Sequence, residues 1–187
     1  MQNSGKLCGI DEAGRGPLAG PLVMAGVVLN EPVDGLDDSK ALSEKRRETL
    51  YMRIVEASIW HIVSFDAQTI DEKGISACLI EGLKEIMAAI PAGSYLFDGN
   101  TTFGLPGLRC QIKADMQIPE VSAASILAKV TRDRIMQALA LQYPAYGFEK
   151  HKGYGTKAHV EAIATHGLSP VHRRTFKIKS LQQPSLF

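Results

Sequence analysis

Apolar and polar positions change period along this chain, and each change marks an element. From Leu7 to Ile10 a short apolar run reads as a strand, with Asp11 at its end. Leu22 to Leu29 is a second, valine-rich run bounded by Pro21 and by Asn30-Glu31-Pro32, and the two runs can pair as a hairpin across a Gly/Pro-rich connection. After Ser43 the period lengthens. Glu44 follows this cap residue, and Leu50, Ile54 and Val55 recur at helical spacing. Ile59 to Phe65 is a third strand. A helix capped by Thr69 or Asp71 is expected to reach Ile90, with Ile75, Leu79, Leu83, Ile86 and Met87 as its apolar stripe.

Pro91-Ala92-Gly93 stops that helix, and Tyr95 to Phe97 is a short buried strand turning at Asp98-Gly99-Asn100. Leu108 to Lys113 is the fifth strand. Pro119 opens a long helix to about Leu141, since proline is tolerated in a first helical turn. Gln142 to Thr156 reads as a loop rich in aromatic and basic residues, and Lys157 to His166 as a last helix closed by Gly167. Strands first, then strands alternating with helices, predict an α/β domain with a mixed sheet. Ligands of such sheets sit beyond strand ends, and Asp11 and Asp98 both end predicted strands. If those strands are parallel neighbours, the two carboxylates meet at one edge.

Composition narrows the picture. The 187 residues suit one ordinary domain, and a net charge of +1 excludes a broadly basic nucleic-acid coat, so any such face must be local. Cys8, Cys78 and Cys110 form no Cys-x-x-Cys pair, which argues against a disulfide framework or a zinc site and for a reduced, cytoplasmic setting. The opening six residues carry no apolar leader, and no run is long enough to span a bilayer. A monomer without membrane attachment is the simplest expectation.

Four acids are candidate ligands for a hard cation: Asp11, Glu12, Asp98 and Asp115. Any one of them alone is a turn former or helix cap. Together they suit magnesium or manganese, which prefer carboxylate and water oxygens. Two such ions about 3.5–4 Å apart can clamp the attacking and leaving oxygens of a phosphoryl displacement. Gly14-Arg15-Gly16 follows the first acid pair. Its glycines allow close approach of another backbone, and its arginine offers a planar fork to phosphate.

The segments Gly9-Ile10-Asp11-Glu12-Ala13-Gly14-Arg15-Gly16-Pro17, Asp37-Asp38-Ser39-Lys40, Phe97-Asp98-Gly99 and Lys113-Ala114-Asp115 are similar to those of ribonuclease HII. So are the stretches from Val121 to Asp133 and from Gly147 to Thr156, in the family's order. The resemblance implies a ribonuclease H-like fold: a mixed five-stranded sheet flanked by helices, with a C-terminal helical segment. It implies one catalytic domain over residues 1–176 and a tail over 177–187. It also implies endonucleolytic cutting of RNA paired to DNA, and cutting 5′ of a single ribonucleotide in duplex DNA, by two-metal-ion hydrolysis leaving 3′-hydroxyl and 5′-phosphate ends.

By the same resemblance Asp11, Glu12, Asp98 and Asp115 are the catalytic metal ligands, for Mg2+ or Mn2+. Gly14, Arg15 and Gly16 recognise the substrate, and Tyr154 stacks beside the ribonucleotide junction. Lys40 is a plausible phosphate contact. Lys150, His151 and Lys152 are expected to track the same strand, and Arg173 and Arg174 to extend the footprint. The helices' small residues, Ser122 to Ser125, are expected to permit close packing on the sheet.

The last residues, Gln183 to Phe187, are similar to the peptide by which bacterial replication proteins dock on the sliding clamp. Gln183, Leu186 and Phe187 are the contacts, and Pro184 stands where a leucine is usual. Three other readings stand beside this one, the first a phosphatase or phosphotransferase with Asp98 as nucleophile, for which Asp98-Gly99-Asn100 offers little support. A ribonuclease HIII would carry an added N-terminal domain, for which the early Asp11 leaves no room. A non-catalytic module that binds RNA–DNA hybrids would not need four acids.

Overall fold

The computed structural model describes residues 3–36 and 42–177. Five strands form one sheet: β1 (Asn3–Ala13), β2 (Leu22–Leu29), β3 (Ser58–Phe65), β4 (Ala92–Asp98) and β5 (Leu108–Gln111), in the spatial order β3-β2-β1-β4-β5. β1 runs antiparallel to β2, with Asp11 opposite Ala25, and parallel to β4, with Ile10 opposite Phe97. β5 is parallel to β4. The sheet is therefore mixed, as the order of elements predicted. β2 is buried along almost its whole length, which is why it reads as a continuous apolar run rather than an alternating one.

The helices are α1 (Glu44–Ala57), α2 (Ala67–Lys73), α3 (Ile75–Ala89), α4 (Pro119–Gln142), α5 (Phe148–His151) and α6 (Lys157–His166). Ser43 caps α1 as expected, its hydroxyl accepting from the Arg46 amide. The helix expected from Thr69 or Asp71 to Ile90 is instead two. Its cap is Asp66, which accepts from the Thr69 amide at 2.8 Å. Gly74, at φ 82°, ends α2 and returns its N–H to the Ile70 carbonyl. A non-glycine residue would resist that left-handed turn, so the break is local in origin.

The expected loop from Gln142 to Thr156 contains a 3-10 turn (Pro144–Tyr146) and α5. Buried Tyr146 and Phe148 stack at 5.5 Å and give that segment a core of its own. Among the described residues no helix is long and apolar enough to cross a membrane.

The chain divides into two compact units. The first comprises residues 1–13, 23–64 and 79–131 and holds most of the sheet. Its core includes Cys8, Ile10, Val27, Leu50, Ile54, Ile86 and Phe97, all buried. The second comprises residues 14–22, 65–78 and 132–187. It packs around Ala19, Met136, Ala140, Tyr146, Phe148 and Ile163.

Candidate active site

The first unit gathers three acids. β1 and β4 are parallel neighbours, so Asp11 and Asp98, each one residue past the Ile10–Phe97 pair, end side by side. Asp115 arrives from the 3-10 turn Ala114–Met116 that follows β5. Lys113 makes this possible by taking a left-handed conformation (φ 58°), which bends the chain back two residues after β5 ends. That bend is also why the strand expected to reach Lys113 stops at Gln111. The backbone N–H of Lys113 donates to Asp98 Oδ1 at 2.9 Å.

α4 packs directly on β1 beside these acids. A Cβ at Gly9 would lie 2.3 Å from the backbone of Glu120 and Val121, so only glycine lets the first turn of α4 rest on β1. Asp11, two residues along the strand, shares Gly9's face. Two strand residues advance about 6.6 Å; four helix residues advance about 6 Å. Ser125, one turn beyond Val121, therefore comes level with Asp11, and its hydroxyl hydrogen-bonds the carboxylate. The Glu12 amide donates to Asp11 Oδ1 at 2.7 Å. Ser122, expected only as a small packing residue, also donates its hydroxyl to the Leu36 carbonyl.

Carboxylate oxygens of Asp11, Asp98 and Asp115 lie within 4.8 Å of one another. Asp11 and Asp115 are buried, 8% and 1% exposed. Burial first, then the Glu12 and Asp98 charges, push Asp11 well above the ordinary carboxylate range. Burial and neighbouring Asp115 raise Asp98 as well. The donor set is all hard oxygen, drawn together where like charges oppose ionisation. That is the chemistry of a site for a divalent cation. Glu12 lies outside the 4.8 Å group, but its charge acts on Asp11.

The second unit holds the Gly14-Arg15-Gly16 turn, and two buried arginines shape it. Arg173 donates from Nη2 to the Gly14 carbonyl (2.6 Å), from Nη1 to the Arg15 carbonyl (3.2 Å) and from Nε to the Gly20 carbonyl (3.0 Å). Arg132 donates to the carbonyls of Pro21, Ala19 and Lys152 at 2.9, 3.1 and 2.9 Å. Among the described residues no peptide bond is cis. In a trans peptide the N–H opposes the C=O, so carbonyls 14 and 15 facing Arg173 turn the amides of Arg15 and Gly16 the other way. Arg15 and Gly16 are exposed.

The two glycines of this turn differ. Gly14 sits at φ 95°, and a Cβ there would lie 2.1 Å from Arg132 Nε, whereas a Cβ at Gly16 would meet nothing within 4 Å.

Tyr154 is half-exposed, and the Arg132 guanidinium lies 5.7 Å from its ring centre. Arg173 is not a surface cation as expected. It is 2% exposed, and its fork is occupied by the turn's own carbonyls. His151 is likewise turned inward, to the Tyr146 carbonyl and the Gly153 amide. Arg174 is exposed, with its backbone N–H donating to Asp71. Lys40, Gln183, Leu186 and Phe187 lie outside the described residues.

Ser125 and Arg132 went unrecognised as individual contacts in the sequence. For Arg132 a signal existed: a charged residue amid the buried Ala128, Val130 and Met136 of one helix must find internal acceptors.

Comparison with known proteins agrees with this geometry. The family model for ribonuclease HII matches residues 8–179. A ribonuclease HII from Sulfurovum sp. (strain NBC37-1) is 61% identical over 188 residues, covering all of both chains. The ribonuclease HII in a complex with PCNA from Archaeoglobus fulgidus superposes with a TM-score of 0.82 at 29% identity, over 96% of this chain and 98% of that one. The ribonuclease H2 from Pyrococcus horikoshii OT3 gives 0.76 at 29% identity, over 94% and 96%. A family match over nearly the whole chain, a full-length relative and a ribonuclease H-like sheet carrying clustered acids lead to one conclusion: the chain belongs to the ribonuclease HII family of hydrolytic endonucleases.

Proposed function

We propose that this chain hydrolyses the RNA strand of RNA–DNA hybrids and cuts on the 5′ side of single ribonucleotides in duplex DNA, leaving 3′-hydroxyl and 5′-phosphate ends. The observation that carries the reading is the group of carboxylates, Asp11 and Asp115 buried and Asp98 partly so, within 4.8 Å of one another beside the parallel strands β1 and β4. With Glu12 they are the ligands for Mg2+ or Mn2+. When bound, such ions supply an activated water and charge stabilisation at the leaving oxygen. The protein's part is to hold the carboxylates still. Asp11 is fixed by Ser125 and the Glu12 amide, and Asp98 by the Lys113 amide.

Discrimination falls to the ribose 2′-hydroxyl, which separates RNA from DNA. The amides of Arg15 and Gly16 are suited to it, since they turn away from Arg173 and Gly16 has open space beside it. Tyr154 supplies an exposed ring for the adjoining sugar, and Lys40 a phosphate contact. The protein acts in the cytoplasm. Docking on the sliding clamp through Gln183, Leu186 and Phe187 completes the reading, supported by the structure of the Archaeoglobus fulgidus relative in a complex with PCNA.

The test is cleavage of a labelled DNA duplex carrying one ribonucleotide, with magnesium, manganese or chelator, beside an all-DNA control and Asp98→Asn. One cut 5′ of the ribonucleotide, lost in chelator and in Asp98→Asn, is expected. Cleavage that survives chelator, or equal cleavage of the all-DNA duplex, overturns the reading. Removal of residues 183–187 is expected to abolish binding to purified clamp and leave cleavage of free duplex unchanged.

A further inference from the structure

Beneath Tyr154 lies a set of buried polar groups that the reaction itself does not use: Ser169, His172 and His159, 5%, 2% and 0% exposed. Their hydrogen bonds have a direction that can be read without seeing a proton. The Ser169 backbone N–H donates to His172 Nδ1 at 2.9 Å, with the Ser169 hydroxyl 2.7 Å from the same nitrogen. An amide can only donate, so that nitrogen carries no proton and the neutral ring holds its proton on Nε2. His172 Nε2 is 3.0 Å from His159 Nε2, so His172 donates there and His159 accepts. The proton of His159 is then on Nδ1, 2.9 Å from the Tyr154 carbonyl, which can only accept.

The same segment is braced from the other side. The Gly153 amide donates to His151 Nδ1, and His151 Nε2 donates to the Tyr146 carbonyl. The His151 ring stacks on His159 at 4.4 Å. Gly153 itself is seated so tightly that a Cβ would lie 2.3 Å from the Ala19 carbonyl oxygen. An exposed tyrosine ring thus stands on a backbone held by buried imidazoles.

From this geometry we infer that Ser169, His172 and His159 are positioning residues for Tyr154, a one-way hydrogen-bond relay that holds its backbone in the pose needed to discriminate a single embedded ribonucleotide. The inference rests on the substrate role proposed for Tyr154. A packing cluster would tolerate either tautomer; this relay does not. An added proton on His159 must go to Nε2, against the N–H of His172. One on His172 must go to Nδ1, against the Ser169 amide. Burial, then the neighbouring imidazoles, hold both rings below the ordinary range, His172 at about 4, so the relay is intact at neutral pH. His151 and Tyr146 from the 144–151 segment pack against the two rings, and Asp71 and Glu72 from α2 with Arg174 line the same cavity as His172.

Nitrogen NMR of full-length protein labelled at histidine reads the tautomers directly. His172 protonated at Nε2 and His159 at Nδ1 are expected; the opposite assignment overturns the relay. The functional readout is the ratio of kcat/KM on single-ribonucleotide duplex to that on an all-RNA hybrid, in which the shared chemistry cancels. His159→Phe should lower that ratio about five- to tenfold, the value of one hydrogen bond. His159→Asn, whose amide can donate from the Nδ1 position, should restore part of it.

On acidification the wild-type ratio should hold through the ordinary imidazole range and fall only as the pH approaches about 4, while that of His159→Phe stays flat. A folded His159→Phe with the wild-type ratio and pH profile overturns the inference. Should that variant fail to fold, the wild-type tautomers and pH profile decide. Tyr154→Ala separates the two levels. If it lowers the ratio and folded His159→Phe does not, the relay alone fails. If Tyr154→Ala leaves the ratio unchanged, the tyrosine's role fails and the relay with it.

Discussion

Charge is buried in two regions of this molecule, with opposite outcomes. In the first unit three carboxylates converge, and burial, then their mutual repulsion, lifts Asp11 and Asp98 out of the usual range. In the second, the Arg132 and Arg173 guanidiniums direct six donor contacts to backbone carbonyls. The arginines are solvated by the fold itself. The carboxylates are gathered at a cost that a bound cation would repay. Sign and burial alone do not mark a functional charge; what answers it does.

The largest expected effect is at the acids. Asp11→Asn should reduce cleavage of single-ribonucleotide duplex by roughly 10³-fold or more, on the scale of losing one preorganised charge-stabilising group. It should also raise the melting temperature of the metal-free protein, by about 2–4 °C for each kcal/mol of repulsion removed, and abolish the rise that manganese is expected to produce in the wild type. A drop in melting temperature with unchanged turnover would erase the contrast with the arginines.

Next are the arginines themselves. Arg173→Met leaves three carbonyls without their donor, a loss of about 3 kcal/mol or more, visible in urea unfolding. Arg15→Met, at an exposed position, should change stability by less than about 0.5 kcal/mol and flatten the salt dependence of duplex binding instead. Equal stability losses would mean that the two arginines share one role.

The two regions also answer acid differently. The folded His172 value of about 4 lies below the ordinary 6.5, so the unfolded chain takes up the proton first as pH falls. The contribution is complete above about pH 6.5 and is lost between there and about pH 4, worth about 3 kcal/mol. Asp11, raised in the folded state, has the reverse sign: its penalty grows as pH rises. Urea titrations in chelator, comparing wild type with His172→Phe, should show the wild-type advantage shrinking on acidification. An advantage constant with pH would contradict the buried neutral imidazole.

The smallest effect separates the glycines of one turn. Gly14→Ala should destabilise by roughly 1–3 kcal/mol through its positive φ, before any displacement of Arg132. Gly16→Ala should leave unfolding within about 0.5 kcal/mol of wild type, and weaken binding of ribonucleotide-containing duplex. Matching stability losses would show that both glycines serve only the fold.

Local chemistry made much of this legible. Ser43 and Pro119 mark helix starts because caps and first turns depend on a few neighbouring residues. Asp98 ends β4 as the pattern predicts, whereas β1 runs past Asp11 to Ala13 because residues 11–13 stay paired with β2. The break at Gly74 was equally local, but a long apolar stripe outweighed it in reading the pattern. The motifs naming the family lie in sequence order, so resemblance reached the four acids without coordinates.

What remained depended on residues distant in the chain. Asp115 joins the other acids because Lys113 reverses the backbone and Gly9 admits α4 against β1. Arg173 reads as a surface cation until residues 14–20 supply its acceptors, about 150 positions earlier. Ser169, His172 and His159 carry no spacing signature; only packing joins them under Tyr154. Sequence alone determined which groups are chemically able to hold a cation or donate to a ligand, since that is a property of side chains. Tertiary structure decided which of them are spent on the fold and which are left for a ligand, since that depends on what lies opposite each one in space.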